Sequence, residues 1–160
     1  MARINNLVVE NATLIFRNFS GKGDDMNREG DRHFTLVIDD PEQAEALLAD
    51  GWNLKEKDST REPGTVYWTL KVAVRFDNVP PTVQLFSGKS RVKLDEGSIG
   101  ILDQIEFETV DVIITPYHWV MGNKEGIKAY LKSMYVEQKL DPIEEKWNKH
   151  YADEEDNMQS

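Results

Sequence analysis

Strict alternation of apolar and polar residues runs through much of this chain. From Val66 to Phe76 the even positions are Val66, Trp68, Leu70, Val72, Val74 and Phe76, an unbroken apolar set. The odd positions are Tyr67, Thr69, Lys71, Ala73 and Arg75. A period of two sends these sets to opposite faces of a sheet, so the segment predicts a strand with one core face and one open face. Ile127 to Val136 repeats the theme: Ile127, Ala129 and Leu131 alternate with Lys128, Tyr130, Lys132 and Met134. Further β-branched and aromatic stretches predict strands over 7–16, 32–38, 52–57, 82–86 and 106–115, with this last one over 127–137. Ser20-Gly21-Lys22-Gly23, Pro63-Gly64, Asn78-Val79-Pro80-Pro81 and Gly122-Asn123 supply the turns between them.

Helix-start chemistry occurs twice. Asp40-Pro41-Glu42-Gln43 offers an N-cap acceptor, a first-turn proline and a capping-box glutamine, and Gly51 ends that helix. Asp141-Pro142-Ile143-Glu144 opens a second, with Ile143 and Trp147 on one stripe. Residues 95–103 predict a short helix weakened by Gly97 and Gly100. About five long strands with one or two helices predict a mainly β protein built as a small barrel. Residues 1–140 form its domain, and 141–160 carry a C-terminal helix and a disordered tail.

Charge changes this picture through its placement. The 160 residues carry a formal charge of −10. Seven acids against Lys146 and Lys149 put −5 into residues 141–160, and five acids with no base put another −5 into residues 39–50. The rest of the chain is neutral, so the acidity is a pair of attachments on a neutral body. Cysteine is absent, which excludes disulfides, thiolate metal sites and thiol catalysis. The first residues lack a signal-peptide core and no run reaches membrane-spanning length, so the expectation is a protein without a membrane role.

The cations gather where the alternation leaves a face open. Tyr67 shares the open face of its strand with Lys71 and Arg75, and Tyr130 lies between Lys128 and Lys132. Lys89, Arg91 and Lys93 fall on one side if that segment is extended, and Arg17, Lys22, Arg28 and Arg32 cluster around a loop. Aromatic rings among cations suit single-stranded nucleic acid, whose bases stack while its phosphates are neutralised. The same pattern is also ordinary for a solvated strand face.

Other chemistry finds little footing. Ser87-Gly88-Lys89-Ser90 lacks the glycine that a phosphate-binding loop needs five residues before Gly88, where Val83 stands. His33, His118 and His150 follow no metal-ligand spacing. Glu106 and Glu108 share a strand face but Asp111 opposes them, a poor match to a metal-dependent nuclease. No catalytic residue, metal or cofactor is expected.

Several stretches carry a resemblance. They are Phe16-Arg17-Asn18-Phe19-Ser20-Gly21, Asn27-Arg28-Glu29-Gly30-Asp31-Arg32-His33-Phe34, Arg75-Phe76-Asp77-Asn78-Val79-Pro80-Pro81, Ile114-Thr115-Pro116-Tyr117-His118-Trp119 and Gly126-Ile127-Lys128-Ala129-Tyr130-Leu131. Over about residues 3–138 the chain resembles phage-encoded single-stranded DNA-binding proteins with an OB-fold. That resemblance implies a five-stranded barrel, a DNA groove lined by Tyr67, Lys71, Arg75, Lys128, Tyr130 and Lys132, and rims carrying Arg17, Lys22, Arg28, Arg32, Lys89, Arg91 and Lys93. Trp119 would be a further platform. It also implies sequence-independent binding in phage DNA replication or recombination, in the cytoplasm of the infected bacterial host, by a monomer or homodimer. The acidic tail, Asp153, Glu154, Glu155 and Asp156 with Met158 as its apolar handle, would compete with DNA and recruit replication or recombination proteins. Two other readings stay open on the residues alone: a β-barrel interaction or virion module, and a nuclease using Glu106, Glu108 or Asp103.

Overall fold

The computed structural model describes residues 4–25, 27–77, 79–143 and 146–147. Nine strands and a ten-residue α-helix lie among them. In chain order they are β1 (Leu7–Val9), β2 (Thr13–Asn18), β3 (Arg32–Ile38), α1 (Pro41–Asp50), β4 (Lys55–Asp58), β5 (Val66–Val74), β6 (Thr82–Ser87), β7 (Ser90–Leu94), β8 (Phe107–Met121) and β9 (Lys124–Gln138).

Pairing turns these strands into a barrel. β2, β3 and β5 form an antiparallel meander, and β5 joins β9 in parallel through Val72↔Ala129 and Ala73↔Tyr130. β9 pairs antiparallel with β8, and β8 with β1. β1 and β2 are halves of one strand predicted as continuous. Asn11 interrupts it at φ +51, a conformation asparagine tolerates, and its N–H donates to Asp111 Oδ1 at 2.9 Å. Just beyond, the Ala12 N–H donates to the Val110 carbonyl at 2.8 Å. The divided first strand thus meets β8 with one half and β3 with the other. Counting it once gives the circuit β1/β2–β3–β5–β9–β8 and back to β1/β2, the strand order of an OB barrel, with β4 and the β6–β7 hairpin added outside.

Burial follows the alternation. Leu70, Val72 and Val74 of β5 pack with Phe34 and Leu36 of β3, Val112 and Ile114 of β8, and Met134 and Val136 of β9. The segment 95–103 is a 3₁₀ turn over Ile99–Asp103 rather than an α-helix, and it buries Ile99 and Leu102 in the core. Helix α1 starts where Asp40 accepts from the Glu42 N–H at 3.0 Å. It ends at Gly51, whose φ of +99 lets its N–H turn back to the last carbonyls.

One expected face is wrong. Met134 was placed with Lys128, Tyr130 and Lys132 on the open side, yet it is fully buried. Ile113 pairs with Ser133 and Ile114 with Leu131, so Lys132 is an extra residue in a β-bulge. A bulge shifts the pleat by one, which turns Met134 inward. β8 and β9 also run well past the predicted 106–115 and 127–137, as a long hairpin turning at Gly122-Asn123.

At the C-terminus, residues 142–143 and 146–147 are helical, in line with the Asp141-Pro142 start. The expected disordered tail lies outside the described residues. No helix among the described residues is long and apolar enough to cross a membrane.

Candidate nucleic-acid interface

The open face of β5 forms the floor of a groove of about 1070 Å³. Tyr67, Thr69, Lys71, Ala73 and Arg75 all line it. Register then sets their neighbours. On one side β3 brings Thr35 opposite Lys71 and His33 opposite Ala73. On the other, β4 brings Lys57 opposite Tyr67 and Lys55 opposite Thr69. One wall is the loop between β2 and β3, and the other is the β8–β9 hairpin with Trp119 and Lys128.

The loop wall is organised by one side chain. Asn27 Nδ2 donates to the carbonyls of Lys22, Arg28 and Asp31 at 3.1–3.2 Å, and the Gly30 N–H donates to the Gly21 carbonyl at 2.7 Å. That frame presents Arg28 to the groove while Lys22 stays outside it. In the hairpin wall, Gly126 stands opposite Trp119 in register. A Cβ there would come within 2.8 Å of Trp119 Cζ2, so the absence of a side chain lets the indole lie flat on the strand.

Seven cations line this space: Arg28, Arg32, Lys55, Lys57, Lys71, Arg75 and Lys128. Asp31, Asp77 and Glu96 are the carboxylates among them. Arg75 is held by Asp77 at 2.7 Å, which raises the guanidinium pKa and lowers the carboxyl's. Arg32 reaches Glu96 at 3.5 Å and lies over the Phe76 ring. Lys55, Lys57 and Lys71 have no carboxylate partner among the described residues, so a groove of a chain with net charge −10 is locally positive.

The remaining expected site residues lie elsewhere. Arg17 points to the other side of β2, donating to the carbonyls of Leu102 and Ile105 at 2.9 and 3.0 Å and lying 4.4 Å over the Phe107 ring. Its role here is to tie β2 to the 3₁₀ turn. Lys89, Arg91 and Lys93 sit on the β6–β7 hairpin, which joins the barrel along the far half of β9, and none of them lines the groove. Lys132 occupies the bulge and does not line it either. Tyr130 stands beside the groove, under Lys128 Nζ at 5.5 Å and edge-on to Tyr117 at 6.0 Å. Phe16, His33, Lys55 and Lys57 are groove residues that sequence reasoning did not select. Asp103, proposed for a nuclease, uses both carboxylate oxygens on the Phe19 and Ser20 N–H groups.

His33 gives the groove a pH response. Partial burial lowers its pKa below 6.5 and the Lys71 charge lowers it further, against smaller opposing effects of Asp31 and Asp103. The unfolded chain therefore takes up a proton more readily than the folded one as pH falls through 6.5. Stability from this group is expected to be full above that pH and to be lost as pH falls through the lowered pKa of the folded state. Replacing His33 by Gln should flatten this part of a plot of unfolding free energy against pH, measured in urea.

A barrel of this order, with a basic groove along β3 and β5 and walls from the β2–β3 loop and the β8–β9 hairpin, has the architecture of an OB-fold. Over residues 1–159 the chain matches the family model of the phage ssDNA-binding domain, and it belongs to that family. Among solved structures it is similar to the single-stranded DNA-binding protein of bacteriophage Enc34. With that protein's complex with ssDNA the TM-score is 0.55 at 16% identity, covering 86% of this chain and 88% of the other. With its C-terminal truncation the TM-score is 0.54 at 16% identity, covering 86% and 87%. No curated protein sequence matches the chain.

Proposed function

We propose that the chain binds single-stranded DNA along the β3–β5 groove, without sequence preference, during phage replication or recombination in the host cytoplasm. The observation that carries this reading is the run of Lys55, Lys57 and Lys71, without carboxylate partners among the described residues, beside Tyr67 in the groove of a chain that belongs to a phage ssDNA-binding family. Lysines neutralise successive phosphates, and Tyr67 and Trp119 offer faces to the bases. Sequence independence follows because every base has a π-face and every nucleotide a phosphate. The binding species is a monomer or homodimer.

The acidic segment Asp153–Asp156 is a polyanion tethered to the same molecule. It competes for the groove when DNA is absent, and once displaced it is available, with Met158, to replication or recombination proteins. Fluorescence anisotropy with a labelled oligothymidylate tests both parts. The full chain should bind with an affinity that falls steeply with salt, and a chain ending at Tyr151 should bind more tightly at low salt. A full chain with no affinity at low salt would overturn the DNA reading. Equal affinities for the two chains would overturn the competition alone.

A further inference from the structure

Strand β2 breaks its own pleat where it borders the groove. Ile15 pairs with Thr35 and Asn18 with His33, so Phe16 and Arg17 together face the single residue Phe34. The first residue of this bulge, Phe16, has φ +51. Glycine is the ordinary occupant of a left-handed bulge position, and a bulky aromatic there is an outlier that its surroundings must hold in place.

Burial does not explain the phenyl ring. Phe16 is 75% exposed, whereas Phe19, three residues on, is fully buried and stacked on Phe34 at 5.6 Å. Arg17 is drawn to the Leu102 and Ile105 carbonyls, and Phe16 is left at the lip of the groove near Ile15 and Arg28. A fold that needed only the bulge would be served by glycine. What the phenyl adds is an exposed aromatic face in a groove lined by cations.

We propose that Phe16 is a base-stacking platform at the β2 lip of the groove, a role that rests on the reading of this groove as the single-stranded DNA site. The bulge leaves the ring exposed on the groove before any ligand arrives.

The full-length Phe16→Gly variant separates this from a structural role. Glycine adopts φ +51 freely, so the thermal midpoint should be unchanged or higher. Affinity for an oligothymidylate should fall by about 5- to 150-fold, the range expected for one lost base stack. Phe16→Trp should retain affinity within a few-fold and Phe16→Leu should not. An oligonucleotide carrying abasic positions should lose affinity for the unaltered chain but lose less for Phe16→Gly, because the ring that missed the base is already gone. If the unaltered chain binds and Phe16→Gly binds within two-fold of it, the platform is wrong and the groove stands. If Phe16→Gly loses affinity and melts lower together, the ring is structural. An unaltered chain that binds no oligonucleotide removes the groove reading itself, and the platform with it.

Discussion

A chain carrying Lys55→Gln, Lys57→Gln and Lys71→Gln should bind a single-stranded oligonucleotide about 100-fold more weakly than the unaltered chain at about 0.1 M salt. The size follows from counterion release. Each phosphate neutralised on a single strand adds about −0.7 to the slope of log K against log salt. Three contacts therefore make the slope steeper by about 2, which at about 0.1 M amounts to some two powers of ten relative to about 1 M salt. The lines for the two proteins should converge as salt approaches that upper limit. All three side chains are exposed and lack carboxylate partners among the described residues, so the unfolding midpoint should barely move. The companion substitution Lys89→Gln, Arg91→Gln and Lys93→Gln removes as much charge from the β6–β7 hairpin, outside the groove. It should change the slope far less. Equal losses from the two triple variants would mean that net charge, rather than the groove, governs binding.

That pair of variants also marks what was legible in the chain. The alternation of 66–76 put Tyr67, Lys71 and Arg75 on the open face of one strand, and the structure places all three along the groove floor. A two-residue period is local, so one strand suffices to see it. Lys55 and Lys57 were not seen because their importance comes from register. Only the pairing of β4 with β5 sets Lys57 beside Tyr67, and nothing within 52–58 announces that partner. Lys89, Arg91 and Lys93 show the converse. Their alternation is real and they do lie on an extended strand, but that strand attaches to the far half of β9.

Bulges account for the remaining differences. At Lys132 an extra residue reverses the pleat, which buries Met134 and separates Lys132 from the groove. At Phe16 and Arg17 a second bulge sets two residues against the single residue Phe34. Neither site contains a glycine or proline that would betray it. The OB order itself was reached through resemblance. Alternation predicts strands but is silent on which strand closes the barrel, and here the closing strand is divided at Asn11.

Phe34→Ala should be the most damaging single change to the fold, and the damage should be reversible by ligand. Phe34 is fully buried on β3 between the Phe19 ring and the apolar face of β5. Removing a buried phenyl costs about 3–5 kcal/mol from lost transfer energy and the cavity left behind. That is a large part of the roughly 5–15 kcal/mol that holds a domain together, and the midpoint should fall by about 10 °C or more. The residue does not line the groove, but the strand it anchors carries His33 and Thr35 on the groove side. If the groove exists only in the folded barrel, an oligonucleotide binds the native state alone. At about 100 times its Kd it should then restore about 2.7 kcal/mol to the variant. Thermal melts of Phe34→Ala with and without oligothymidylate test this directly. A midpoint that fails to rise with ligand, while the unaltered chain's does rise, would show that the register of β3 on β5 is part of the binding site.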